Sequence, residues 1–233
     1  MNILTVILAR GGSKRLPRKN VKLFLGKPLV AHSIEVAKNS KYVNKIVVST
    51  EDPEIKQISI DYGAEIIDRP IELAQDTTKS APCVVHAVDT LEKQGYKPDI
   101  VILLQPTTPT KTTKMLDDVI EKLLNSTNDS VFTGHKHCYT MALWKKCHSG
   151  KVIGLYDYHL RPRWQDVEQN EEIWAENGAI YAIKIDALKK YQDFIGENPD
   201  ILAVDGIVDI DTEEDFHIAE KIMKDRNSQN INL

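Results

Sequence analysis

Five cations and two glycines fall within ten residues near the start of the chain: Arg10-Gly11-Gly12-Ser13-Lys14-Arg15-Leu16-Pro17-Arg18-Lys19. Glycine lets a backbone approach an anion and turn its N–H groups toward it. Guanidinium and ammonium groups add charge-assisted hydrogen bonds to phosphate oxygens. The chemistry such a loop suits is the binding of a ligand with several phosphates. Asp209-Ile210-Asp211, far along the chain, offers the complement. Residues i and i+2 of a strand share a face, so the two carboxylates can form an oxygen site for Mg²⁺. A nucleoside triphosphate needs that ion to offset its charge. Other readings stay open here. Asp211 or Thr212 can cap a following helix, with Glu214 completing a capping box, and Asp209 can be an exposed strand end.

The basic loop has its own alternatives, a solvated turn or a nucleic-acid patch. It directly follows the apolar run Ile3–Ala9, contains Gly-Gly, and belongs to a chain of net charge −4, which does not suit a general nucleic-acid binder. Two common phosphate loops do not match. Gly26-Lys27 is followed by Pro28 rather than Ser or Thr, and Ser13-Lys14-Arg15 supplies no third glycine. Long side chains as well as backbone must therefore hold the phosphates.

Weaker signals lie elsewhere. Gln105-Pro106-Thr107-Thr108-Pro109 follows an apolar strand and can fix a sugar or base, or form a Pro-bounded turn. Arg69-Pro70 lies past another strand. Asp76 or Thr77 reads as an N-cap before a helix. His135, His137, Cys138, Cys147 and His148 include zinc-ligand types, but their spacing is not a common finger or ribbon pattern. Cys83, inside a predicted helix, reads as a small buried hydrophobe. No G-x-S-x-G elbow or Ser-His-Asp order is present.

The elements that must position these groups alternate. Strands are predicted at Ile3–Ala9, Lys45–Thr50, Glu65–Asp68 and Asp99–Leu104, and helices at Pro28–Asn39, Pro53–Tyr62, Ser80–Gln94 and Thr112–Asn125. Pro28 and Pro53 suit first helical turns, and Gly63 suits a C-cap. The rhythm predicts an α/β fold: right-handed βαβ units, a Rossmann-like mostly parallel sheet, and helices on both faces. Ligands then bind beyond the C-terminal ends of the strands. From about 135 to 177 the rhythm breaks, with short strands such as Met141–Lys145 and Lys151–Tyr156, and this reads as an insertion that leaves the sheet. The pattern resumes at Gly178–Ile183. A last strand is predicted at Gly206–Ile210, then an amphipathic helix from about Glu213 to Lys224, then a frayed polar tail. The chain thus reads as one domain over residues 1–225, with that insertion and a tail at 226–233.

At 233 residues and modest acidity, composition is that of a soluble globular protein. No apolar segment approaches the roughly 18 residues that span a membrane. The first apolar run lacks a preceding basic region, so no signal peptide is expected. Three cysteines are too few for a disulfide framework and fit a reducing cytoplasm.

Taken in order, the motifs resemble those of the acylneuraminate cytidylyltransferases. Ile7-Leu8-Ala9-Arg10-Gly11-Gly12-Ser13-Lys14 through Lys19-Asn20 looks like their nucleotide loop. Gly26-Lys27-Pro28-Leu29, Val47-Val48-Ser49-Thr50, Arg69-Pro70 with Glu72-Leu73-Ala74, and Asp76-Thr77 follow. Leu104 to Pro109, Asn177-Gly178-Ala179-Ile180-Tyr181 and Asp209-Ile210-Asp211 complete the set, so the likeness runs from about residue 3 to 222.

The resemblance implies that CTP and a nonulosonic acid, of sialic or legionaminic type, give a CMP-sugar and pyrophosphate. It implies that Arg10, Gly11, Gly12, Ser13, Lys19 and Asn20 form the nucleotide loop, with Arg69 and Ser80 on ribose and cytosine. Lys19, Arg10 and Asp211 carry the catalytic roles, Asp209 and Asp211 bind Mg²⁺, and Gln105 and Arg163 face the acid sugar. The anomeric hydroxyl attacks the α-phosphorus in line, and an aspartate or a water on the metal takes its proton. A homodimer is implied, with the inserted segment reaching the partner. Two positions depart from the family pattern: Ala175 stands where relatives carry arginine, and Pro109-Thr110-Lys111 where they read Pro-Leu-Arg. Rival readings are a CMP-Kdo synthetase, which Arg15-Leu16-Pro17 would suit, and a non-catalytic nucleotide-binding module.

Overall fold

The computed structural model describes residues 1–137, 144–154, 159 and 173–230. The strands are β1 (Ile3–Leu8), β2 (Leu23–Phe24), β3 (Lys27–Pro28), β4 (Lys45–Thr50), β5 (Glu65–Asp68), β6 (Ile100–Leu104), β7 (Ser130–His137), β8 (Trp144–Lys146), β9 (Val152–Gly154), β10 (Ile173–Lys184) and β11 (Pro199–Ala203). The helices are α1 (Leu29–Lys38), α2 (Pro53–Asp61), α3 (Ser80–Lys93), α4 (Thr113–Leu124), α5 (Ile185–Tyr191) and α6 (Glu213–Asn230).

Seven strands form one sheet in the order β11-β7-β10-β6-β1-β4-β5. All pair in parallel except β10, which runs antiparallel to both β6 and β7. The central strands β1 and β6 are apolar along almost their whole length, because helices cover both faces. On one face Ile3, Ile7 and Val48 meet Val30 and Ile34 of α1, Ile55 of α2, and Leu116 and Val119 of α4. On the other, Leu4, Val6 and Leu103 meet Val84 and Val88 of α3 and Leu188 of α5.

Local chemistry sets the helix starts. The Asp52 side chain accepts from the backbone N–H groups of Glu54 and Ile55, with Pro53 in the first turn of α2. Thr112 accepts from Met115 N at the start of α4. At α6 the Asp215 carboxylate accepts from Thr212 N at 2.8 Å, while Thr212 Oγ1 accepts from Asp215 N at 3.2 Å. This is a capping box with Asp215, not Glu214, as the far partner. Asp211 joins it only through its backbone N–H, which donates to the Asp215 carboxylate at 3.0 Å, so its own carboxylate is left out of the cap.

A third, smaller core joins the two ends of the chain. Leu16 of the basic loop, Phe24 of β2 and Leu29 of α1 pack with Ile210, Phe216 and Ala219. The Phe24 and Phe216 rings meet edge to face with centroids 5.3 Å apart. Ile210 is fully buried and anchors the aspartates on either side of it.

Three expectations are corrected. Residues Gly206–Ile210 join no sheet, and Gly206 sits in a bend at φ +69°. Ile210 N donates to Thr107 O at 2.7 Å and Val208 N to Thr110 Oγ1 at 3.1 Å, so the segment runs along a loop, and the sheet edge beside β7 belongs to β11. The helix after it continues to Asn230 instead of fraying near Asp225, held by Arg226. The β7–β10 pairing persists out to His137 and Ile173, so the chain leaves the sheet later than 135 and returns earlier than 177. Beyond it, β8 and β9 form a small antiparallel hairpin.

Removing the Phe216 ring opens a cavity in the third core. Phe216→Ala is expected to cost about 3 kcal/mol or more of stability, read from urea unfolding; a loss below about 1 kcal/mol would show that this core does not hold α6.

Candidate active site

A cleft of about 670 Å³ opens where the parallel strands end. It is lined by the loop after β1, the segment after β5, the start of α3, the loop after β6, and Asp211. The parallel architecture puts all of these on one edge.

The basic loop and the acidic segment meet here. Lys19 Nζ donates to the backbone carbonyl of Ile210 and lies 3.2 Å from Asp211 Oδ1. Arg15 Nη1 holds the other oxygen of Asp211 at 2.5 Å. Lys19 sits in a short 3-10 helix, Lys19–Val21, and is only 8% exposed. Arg10 Nη1 pairs with Asp76 at 2.7 Å, and Lys14 pairs with the same carboxylate. These two cations, Lys14 foremost, hold Asp76 below the usual carboxylate range. Asp76 is therefore a partner of the loop and not the expected helix cap, a position that Lys79 takes.

The glycines are placed differently from expectation. Neither Gly11 nor Gly12 lines the cleft. Gly11 N donates to Glu51 Oε1 at 2.7 Å instead of facing inward. A Cβ at Gly11 would lie 2.3 Å from Asp52 Oδ2, and Asp52 is fixed by Arg18 and by its capping of α2. A Cβ at Gly12 would meet nothing within 4 Å. The first glycine permits close packing, then, whereas the second is simply open.

Asn20 lines the cleft, with its Nδ2 donating to Arg10 O at 2.9 Å. Its buried Oδ1 has no partner. Arg69 is buried, with Nε on Ser49 Oγ at 3.1 Å and Nη2 on Ser49 O, and burial depresses its pKa. Ser13, Ser80 and Gln105 also line the cleft. Cys83 reaches it, and burial pushes its thiol up, which favours the protonated form. Asp209 does not line the cleft. It is exposed and makes no hydrogen bond or ion pair among the described residues. Arg163 and Cys138 lie outside the described residues.

Beside Gln105 the β7–β10 ladder is irregular. Its register shifts between Glu176 and Tyr181, making a bulge of the kind found next to active sites. Thr133 Oγ1 bridges it, touching Asn177 Oδ1 at 2.7 Å and accepting from Ile180 N at 3.1 Å. Gly178 adopts φ +70°, and the site of its missing Cβ is 3.6 Å from Gln105 Nε2. Asn177 Nδ2 is buried without a partner.

Underneath, Lys111 is 2% exposed. Its Nζ reaches Gln105 O at 2.6 Å, Thr108 O at 2.9 Å and Thr108 Oγ1 at 3.3 Å. It therefore faces the inside of the loop and does not line the cleft. Burial pushes its ammonium down to about 7, against an opposing pull from Asp209.

Of the residues singled out from the sequence, Arg10, Ser13, Lys19, Asn20, Arg69, Ser80, Gln105 and Asp211 line the cleft. The sequence signals missed Lys79, Gln75 and Asp76 as cleft residues. Only the position of Lys79 just before a helix hinted at its place.

A family model described as Cytidylyltransferase matches residues 4–227. The chain belongs to the cytidylyltransferase family. Among curated members it is 32% identical over 229 residues to the pseudaminic acid cytidylyltransferase of Campylobacter jejuni, covering 96% of this chain and 97% of that one. It is also 32% identical over 248 residues to the CMP-N,N'-diacetyllegionaminic acid synthase of Legionella pneumophila, with the same coverage. Its fold is shared with a solved CMP:2-keto-3-deoxy-manno-octonic acid synthetase complexed with CTP. That match has a TM-score of 0.70 and 20% identity, over 97% of this chain and 100% of that one. No helix among the described residues of this cytidylyltransferase is long and apolar enough to cross a membrane.

Two stability measurements check the geometry. Gly11→Ala is expected to destabilise the fold by about 1–3 kcal/mol through overpacking, while Gly12→Ala stays near neutral; equal unfolding midpoints for both would contradict the packing described. Lys111 gives a pH dependence. An unfolded lysine keeps its proton to about pH 10, whereas in the fold Lys111 releases it near 7. Between these values the unfolded state binds more protons, so stability rises with pH. The stability of the wild type minus that of Lys111→Met should climb from pH 7 toward about pH 10; a flat difference would contradict the burial of a charge there.

Proposed function

We propose that this cytidylyltransferase transfers CMP from CTP to the anomeric hydroxyl of a nonulosonic acid sugar, releasing pyrophosphate. The observation that carries the reading is the meeting of Lys19 and Arg15 with Asp211 in one cleft, beside Gln105 and Arg69. A cleft that sets cations for phosphates against a carboxylate is arranged to bring a triphosphate and a second reactant together. The names of the two 32% identical relatives support a nine-carbon acid as acceptor.

In this reading Arg10, Ser13 and Lys19 hold the triphosphate, Arg10 and Lys19 exchanging their carboxylate partners for phosphate oxygens. Gly11 and Gly12 supply backbone to it once the Glu51 contact opens. Asn20 supports the loop through Arg10 O. Arg69 and Ser80 recognise ribose and cytosine. Gln105, with the unpartnered Asn177 Nδ2 nearby, binds the sugar, and Arg163 completes that pocket. The sugar oxygen attacks the α-phosphorus, the bond to the β-phosphate oxygen breaks, and Lys19 offsets the charge that builds on the leaving pyrophosphate. A carboxylate of the Asp209–Asp211 segment takes the hydroxyl proton.

Magnesium takes hard oxygen ligands, commonly one or two carboxylates together with substrate phosphates. Asp211 at the cleft fits that donor set, and Asp209, which does not line the cleft, would have to turn inward to join it. When bound, the ion would neutralise triphosphate charge. The reading extends to a cytoplasmic homodimer built as one domain whose last helix runs to Asn230, with the inserted segment between His137 and Ile173 meeting the partner. The exposed Trp144, Val152 and Ile153 of the β8–β9 hairpin are apolar surface suited to such a contact.

The test is a panel of pseudaminic, legionaminic, N-acetylneuraminic and Kdo acids with CTP and Mg²⁺, following pyrophosphate and CMP-sugar. At least one nine-carbon acid should turn over. Lys19→Ala and Asp211→Ala should each lower kcat by about 100-fold or more with the unfolding midpoint kept. Release with none of the nine-carbon acids, or full activity in both variants, would overturn the reading.

A further inference from the structure

Lys111 is a fully buried cation that no step of the proposed reaction uses. A buried ammonium is costly unless each of its donors finds an acceptor. Here three donors face three acceptors, Gln105 O, Thr108 O and Thr108 Oγ1. Thr108 Oγ1 in turn donates to Gln105 O at 3.0 Å. The loop from Gln105 to Lys111 is thus closed on itself around one nitrogen. Its shortest contact is with the main chain of the residue that lines the cleft.

The same loop is tied to the acidic segment from outside. Thr107 O accepts from Ile210 N, Thr110 Oγ1 accepts from Val208 N, and Thr110 O accepts from Arg226 Nη1 at 2.7 Å. Arg226 Nη2 also reaches Asp205 O and Gly206 O. Any shift of Gln105 therefore changes its place relative to Asp211.

We propose that Lys111 is a positioning residue for acceptor recognition: by gripping Gln105 O from beneath, it fixes where the Gln105 side chain stands against the sugar. This rests on the acid-sugar reading given above. The nucleotide is held mainly by other parts of the cleft, the loop after β1, Arg69 and the start of α3, so the effect should fall on the sugar.

Steady-state kinetics test it, using whichever acid the wild type turns over. Lys111→Met is expected to raise the sugar KM about tenfold or more while the KM for CTP stays within about twofold. Lys111→Arg, which keeps a buried donor set, should recover most of that loss. Thr108→Val removes one acceptor and the Oγ1 bond to Gln105 O with little change in shape, and should show the same split at smaller size. It decides the matter if Lys111→Met fails to fold. An unchanged sugar KM in the folded variants, or parallel losses for CTP and sugar, would overturn the proposal. Absence of wild-type turnover with every acid would overturn the parent reading, and this inference with it.

Discussion

The contact of Lys19 with Ile210 and Asp211 is the constraint on which the site depends. It joins residues 191 and 192 positions apart in sequence. Neither partner would hold its place alone. Lys19 is fixed by the turn that follows the basic loop, and Asp211 by the buried Ile210 next to it. Both rest on one small apolar core of Leu16, Phe24, Leu29, Phe216 and Ala219. Hydrophobic burial sets the separation of the charged groups, and the charges then finish the alignment. That order of causes suits a reaction centre, because apolar packing tolerates less slack than exposed ion pairs do.

The sheet supplies the platform. Parallel strands deliver β1, β4, β5 and β6 to one edge with their loops side by side. The reversed strand β10 arrives at that edge from the opposite direction. Its bulge places Asn177 and Gly178 next to Gln105. In the proposed reading the nucleotide side of the cleft is therefore made of strand exits, and the acceptor side includes a strand entrance. The helix α6 then closes the assembly by capping itself with Asp215, which leaves the Asp211 carboxylate available to the cations.

Much of this was legible in the residues. Apolar runs with helical segments between them gave β1, β4 and β6 to within a residue, since buried parallel strands have no polar face to confuse them, and the half-exposed edge strand β5 was read from its place in the alternation. Pro53 marked the start of α2 by its own chemistry, and the Asp52 cap before it emerged with the structure. The short elements α5 and β11 were invisible, being only seven and five residues long with no clean period. Gly206–Ile210 carried strand-like residues but finds its hydrogen bonds in a loop, a choice made by tertiary neighbours. Among site residues, those belonging to a motif could be read. Asp76 could not, because its role lies in a pairing with Arg10 across 66 positions, and local sequence instead favoured a cap. Lys111 stood out only as a departure from the family pattern, and its burial under the Gln105 loop is a tertiary fact that no local signal carries.

The five cations of the loop each already have a carboxylate: Asp76 for Arg10 and Lys14, Asp211 for Arg15 and Lys19, Asp52 and Glu54 for Arg18. Each of these cations is paired before any anion arrives, yet the cleft keeps a positive surplus, because Asp76 and Asp211 each serve two cations and Arg69 and Lys79 line it as well. A triphosphate entering it swaps one set of oxygens for another instead of meeting naked charge, while the surplus draws it in. The same exchange runs in reverse when pyrophosphate departs, with resident carboxylates ready to take its place. A tight grip on the reacting phosphates and an easy farewell to the product are thereby built from one arrangement of side chains.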